Sequence, residues 1–168
     1  MSKDLEIIKE LQSKFGEFEY EVYDDKVIEL ELERKGIQTK DLKLIGELTN
    51  LKYLDLAFNK ITKIQGLDKL TKLKKILFWS NQIDTIQGLD NLISLETLWL
   101  GNNKLTTIQG LNKLASLKNL WLDENQIDTI QGLDGLISLK SLELSYNYIP
   151  ESQIKEFQTR HPEIKVFY

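Results

Sequence analysis

An α/β repeat fold is predicted: a right-handed solenoid with a parallel concave β-sheet and short helical or 3₁₀ turns on its convex side. Three observations carry it. From Leu48 to Phe157 the chain says nearly the same thing five times in blocks of 22 residues, from LTNLKYLDLAFNKITKIQGLDK to LISLKSLELSYNYIPESQIKEF. Each block carries the pattern LxxLxLxxNxI, as in Leu95, Leu98, Leu100, Asn103 and Leu105. An IxxIxGL segment follows, with Gly66, Gly88, Gly110 and Gly132 where the backbone must turn. A fixed period in this range marks stacked units, each of which buries its apolar face only against its neighbours.

The chain then resolves in order as one domain, residues 1–168. Residues 1–25 read as an N-terminal cap. Asp4 to Lys14 is an amphipathic helix with Leu5, Ile8 and Leu11 on one face, ended by Gly16. Phe18, Tyr20 and Val22 alternate with Glu17, Glu19 and Glu21, the period of a half-buried strand, and Asp24-Asp25 turns the chain into the next one. Residues 26–149 hold six repeats. The first is degenerate, with Lys35 in the asparagine slot and a longer convex part over Gln38 to Glu47 that predicts a true helical turn. Residues 150–168 form a C-terminal cap, in which Pro150 opens a helix carrying Ile154 and Phe157, and Ile164 to Tyr168 returns as a strand. With both ends covered, a complete small solenoid is expected.

These residues and spacings resemble the leucine-rich repeat family, in its short 22-residue subclass, which includes the nuclear regulatory subunit of type-1 protein phosphatase and the bacterial internalins. The resemblance implies a binding module, regulatory-subunit-like, whose concave face grips a protein or peptide.

Composition narrows the function further. A net charge of −4, from 22 Lys and Arg against 26 Asp and Glu, supplies no basic face for nucleic acid. No cysteine is present, so neither disulfides nor thiolate metal sites arise. The amphipathic start MSKDLEIIKELQ is unlike a secretory signal, and no apolar run suits a bilayer; a cytoplasmic protein with no membrane contact is expected. The single His161 has no nucleophile to serve, the carboxylates are placed by a repeat rather than paired in a pocket, and no phosphate-binding loop occurs. Neither an enzyme nor a cofactor or metal protein is indicated.

Asn59, Asn81, Asn103, Asn125 and Asn147 form a column that reads as structural, its amides satisfying backbone of adjacent repeats. The informative columns face outward from the strands. The residue between the last two leucines reads Glu31, Asp55, Leu77, Trp99, Trp121, Glu143. Neighbouring columns add Tyr53, Trp79, Phe58 and Tyr146. All three tryptophans thus fall on one exposed strip, rimmed by Glu29, Glu31, Glu33 and Asp55 on one side and Asp123, Glu124 and Glu143 on the other. The bland reading is that the rings only shield the sheet. Exposed aromatic patches more often mark interaction sites, and an acidic rim suits a partner with apolar and basic anchors. Lys60, Lys63, Lys69, Lys72, Lys74 and Lys75 are read as a solvated surface. A monomer is expected. The alternative is a self-associating or consensus-designed structural solenoid without a dedicated ligand, its Trp strip mating with another copy.

Overall fold

The computed structural model describes residues 2–168. The eight strands β1 (Tyr20–Tyr23), β2 (Lys26–Glu31), β3 (Tyr53–Asp55), β4 (Lys75–Leu77), β5 (Thr97–Trp99), β6 (Asn119–Trp121), β7 (Ser141–Glu143) and β8 (Lys165–Phe167) form one sheet in chain order. The first pair is an antiparallel hairpin whose turn, Asp24-Asp25, has φ of 50° and 58° at both residues, as a two-residue turn of the primed type demands. All later pairs are parallel, and the repeat period sets their register: Leu54, Ile76, Leu98, Leu120 and Leu142 stand side by side, and so do Asp55, Leu77, Trp99, Trp121 and Glu143.

The regular strands are three residues long with a buried middle residue. They end on Asp55, Leu77, Trp99, Trp121 and Glu143, although the LxxLxL pattern predicts strands centred on these outward residues. The reason lies just beyond. The next leucine-position amide still bonds across (Leu56 N to Leu77 O, 2.9 Å; Phe78 N to Trp99 O, 2.8 Å), but two residues on the chain enters the left-handed region. Arg34, Phe58, Ser80, Asn102, Glu124 and Tyr146 all have φ between 51° and 58°. Side chains rarely adopt this conformation, and its recurrence in every unit makes it a property of the repeat rather than local strain.

On the convex side only the first repeat contains helix, a 3₁₀ turn over Thr39–Asp41 running into α2 (Leu42–Ile45); α1 is the cap helix Lys3–Phe15. The regular repeats instead link two i→i+3 turns, Leu70 N to Leu67 O and Leu73 N to Leu70 O, which is 3₁₀ bonding that does not propagate. Between the two sides lie rows of fully buried leucines and isoleucines, each contributing about 1.5–3 kcal/mol of burial.

The N-terminal cap differs from its expected form in two ways. The buried face of α1 is Asp4, Ile7, Ile8 and Leu11, while Leu5 is only half-buried. The helix is rolled because the Asp4 carboxylate turns inward and accepts the Val27 N–H at 3.0 Å. Strand β1 is exposed at all four residues rather than half-buried. It is the edge of the sheet, and the helix packs on β2 instead. Lys35, in the degenerate asparagine slot, donates to the Glu17 carbonyl and so ties the hairpin to the first repeat. At the other end α3 (Glu151–Arg160) follows Pro150 and buries Ile154 and Phe157.

Glu47, at the end of the first convex segment, bridges the cap to the repeats. Its carboxylate accepts from Lys69 of the next unit and from Lys3 at 2.9 Å, and these ammonium groups lower its pKa from 4.5 to about 2. A carboxyl that holds its proton more weakly folded than unfolded stabilises the protein above the unfolded value and loses that contribution as pH falls through the folded one. Glu47→Gln is therefore expected to lower the melting temperature slightly at pH 7, with the gap closing between pH 4.5 and 2 and shrinking in high salt, since the groups face solvent. Thermal unfolding across that range checks it; a gap independent of pH contradicts the bridge.

Candidate concave binding face

The sheet's outward residues form the floor of the concave side. Register pairing places Trp99 beside Trp121, with ring centroids 5.1 Å apart and planes tilted by 50°. Trp79 does not join them. It lies two residues further along its strand, opposite Gly101, and packs edge-on against Phe58 at 4.8 Å. A side chain at Gly101 would fill the space the Trp79 indole occupies, since an added Cβ would lie 2.6 Å from its Cδ1 and 2.5 Å from an Asp123 oxygen. Trp79 thus reaches across one repeat toward Asp123. The single strip the sequence predicts is two clusters: Phe58 with Trp79 on the asparagine side, and Trp99 with Trp121 on the floor.

Each cluster carries a cation that sequence alone does not place against a ring. The Arg34 guanidinium stands 4.0 Å over the Phe58 ring. The Lys75 ammonium lies 5.3 Å from the Tyr53 ring and 5.5 Å from that of Trp99, so this lysine belongs to the concave floor and not to the solvated group to which it was assigned. Cation–aromatic contacts at exposed sites, such as that of Arg34, contribute about 0.5–1 kcal/mol. The pattern was present in the sequence as Arg34 and Lys75 in outward columns, one repeat from an aromatic residue.

The remaining site residues divide by exposure. Leu77, expected on the surface, is only 7% exposed, between Asp55 and Trp99 in the register of the sheet. Tyr53 is half-buried; burial first, and then the charges of Asp55 and Glu31, push its phenol well above the usual range. Asp55 and Glu143 are half-buried, and each accepts the amide two residues ahead, Ala57 N at 2.8 Å and Ser145 N at 2.9 Å. These two acids therefore brace the ends of their own strands as well as facing outward. Burial raises the pKa of Asp55 and of Asp123, opposed at Asp55 by the Ala57 amide and at Asp123 by the Trp79 indole. Glu31 is raised by burial and by the like charges of Glu19, Asp55, Glu29 and Glu33. Tyr146, in the left-handed position of the last repeat, is 82% exposed.

The asparagine column is structural in each regular repeat. Asn103 Oδ1 accepts from Ile83 N at 2.9 Å, and its Nδ2 donates to the carbonyls of Phe78, Leu100 and Gly101. Among the described residues no group of three or more His, Cys, Asp and Glu is arranged to hold a metal ion, and no helix is long and apolar enough to cross a membrane.

A capped stack of short repeats with an aromatic, acid-bordered inner face defines the class of protein. The Leucine Rich repeats (2 copies) family model matches residues 49–91, 71–113 and 93–135, which together span more than half the chain; the protein belongs to the leucine-rich repeat family. Among solved structures, it is similar to an internalin of Listeria monocytogenes, with 27% identity and a TM-score of 0.73 over 84% of this chain and 41% of that one. It is also similar to a leucine-rich repeat protein of Leptospira interrogans, with 26% identity and a TM-score of 0.71 over 96% of this chain and 39% of that one. The chain thus spans about two fifths of the length of these relatives. No curated protein matches it. Leucine-rich repeat domains are generally non-enzymatic modules for protein–protein interaction.

Proposed function

We propose that this chain binds a partner protein or peptide through its concave face, with Trp99 and Trp121 as the central apolar anchors. The observation that carries this is the pair of mutually packed indoles, each partly exposed on the outward side of the sheet rather than folded into the core. Tyr53 extends the floor toward the N-terminal end, Phe58 and Trp79 form the border on the asparagine side, and Glu143 and Tyr146 lie toward the C-terminal end, where β8 adds Phe167 beside Glu143. Asp55, with Glu29 and Glu31, gives the N-terminal end of the face a negative charge that favours basic residues on the partner. A regulatory role without chemistry of its own, in the cytoplasm, belongs to the same reading.

Truncating an aromatic anchor at the centre of an interface typically costs about 2 kcal/mol or more, close to thirty-fold in Kd. Trp99→Ala and Trp121→Ala are each expected to weaken capture of the partner by that factor while barely moving the melting temperature, and Lys72→Ala on the opposite side to change nothing. Essential convex lysines with silent tryptophans would overturn the reading. Light scattering at several concentrations identifies the partner as a second copy if mass rises with concentration and Trp121→Ala abolishes the rise.

A further inference from the structure

At the C-terminal end of the concave face, Trp121, Asp123, Glu143, Ser145 and Tyr146 line an open notch of about 250 Å³. Two of its five residues are aromatic and two are carboxylates. Among the described residues, no Lys, Arg or His forms an ion pair with Asp123 or Glu143, and no cation of the chain lies over the Trp121 or Tyr146 ring.

The rest of the face shows what such a combination accepts. Toward the N-terminal end, Arg34 covers Phe58 while its Nε meets the Glu33 carboxylate at 3.0 Å. One column over, Lys75 lies against both Tyr53 and Trp99, close enough to Asp55 to oppose the rise in its pKa. In both places a ring and a carboxylate are completed by a cation from the chain itself. Along the Lys75 column the following residues are Thr97, Asn119, Ser141 and, in β8, Lys165, whose ammonium lies 4.7 Å from the ring of its own Phe167; along the Arg34 column they are Phe58, Ser80, Asn102, Glu124 and Tyr146, so neither column sets a cation directly beside Trp121.

We propose that the notch between Trp121 and Tyr146 receives an arginine side chain of the partner, its guanidinium stacked on the rings and paired with Asp123 and Glu143. Arginine is favoured over lysine because a flat, weakly hydrated guanidinium presents both a face to the rings and a fork to two carboxylates, whereas an ammonium is a compact, strongly hydrated charge. The partial burial that raises Asp123 works in the same direction: a carboxylate short of solvation gains most from an incoming cation.

The inference rests on the concave face being the docking face, and its test is independent of the partner. In a two-dimensional NMR titration of the full chain, N-acetyl-argininamide is expected to move the Trp121 indole and the Ser145 and Tyr146 amides saturably, at millimolar concentration. N-acetyl-lysinamide should bind several-fold more weakly, and the uncharged isostere N-acetyl-citrullinamide should leave these signals in place. Asp123→Asn combined with Glu143→Gln should remove the response. Tyr146→Ala, at a residue too exposed to matter for folding, should weaken it by ~3-fold or more. Citrullinamide acting like argininamide, lysinamide binding as tightly, or an undiminished response in these variants overturns the proposal. No response at the notch, together with partner capture that still depends on Trp99, would sink the notch and leave the binding face. A notch response with capture indifferent to Trp99 and Trp121 would do the opposite.

Discussion

Gly110→Ala is expected to destabilise the protein by about 3 kcal/mol or more, which for a chain of this size lowers the melting temperature by roughly 10 °C. Two effects add at this position. The backbone is left-handed, with φ of 86°, and a side chain there costs about 1–2 kcal/mol. An added Cβ would also lie 2.2 Å from the carbonyl oxygen of Ile86 in the preceding repeat, a backbone atom that cannot swing aside. Gly132 repeats the situation at 1.9 Å from Ile108 O. Gly36 separates the two effects, because its φ is 73° but nothing lies within 4 Å of the added atom. Gly36→Ala should therefore cost only the conformational part, about 1 kcal/mol. Thermal or denaturant unfolding of both variants checks this, and equal losses would show that close stacking of repeats is not what the glycine protects.

Asn103→Ala is expected to cost a similar amount, about 3 kcal/mol, for a different reason. Its amide is buried and makes one bond as acceptor and three as donor, to backbone on its own repeat and the one before. Alanine leaves the Ile83 N–H without its partner and removes a bond from each of three carbonyls, and each orphaned buried group costs about 1–3 kcal/mol. Asn147 makes the same four bonds but is only half-buried beside the C-terminal cap, so water can replace part of what is lost. Asn147→Ala should cost less than half as much. Equal effects at the two sites would mean that burial does not set the penalty.

Both expectations draw on what was legible in the sequence. A period of 22 fixes which residues stack, and a strand alternation of two fixes which of them face out, so Leu98 is buried and Trp99 is on the concave side. The asparagine column and the turn glycines followed from the same repetition. What the period does not encode is the reach of a side chain across repeats. Trp79 extends over Gly101 only because that one neighbour has no side chain, so a strip read column by column became two clusters. Leu77 is outward by alternation yet covered, and Asp55 and Glu143 are outward yet committed in part to their own backbone. Arg34 and Lys75 were visible as charges but not as ring partners, since that depends on a distance between neighbouring units. The helix α1 was misread by one residue because a single buried carboxylate, Asp4, turned its face.

The central claim is that the concave face is where a partner sits. Hydroxyl-radical footprinting of the protein alone and saturated with its captured partner tests it most directly, because the readout is side-chain exposure residue by residue. Trp99, Trp121 and Tyr146 should be oxidised several-fold more slowly in the complex, while Ile93 and Ile137 on the convex side and Tyr23 at the hairpin, all exposed in the free protein, should react at unchanged rates. Unprotected tryptophans with Ile93 and Ile137 shielded would contradict the account and move the interface to the opposite side of the solenoid.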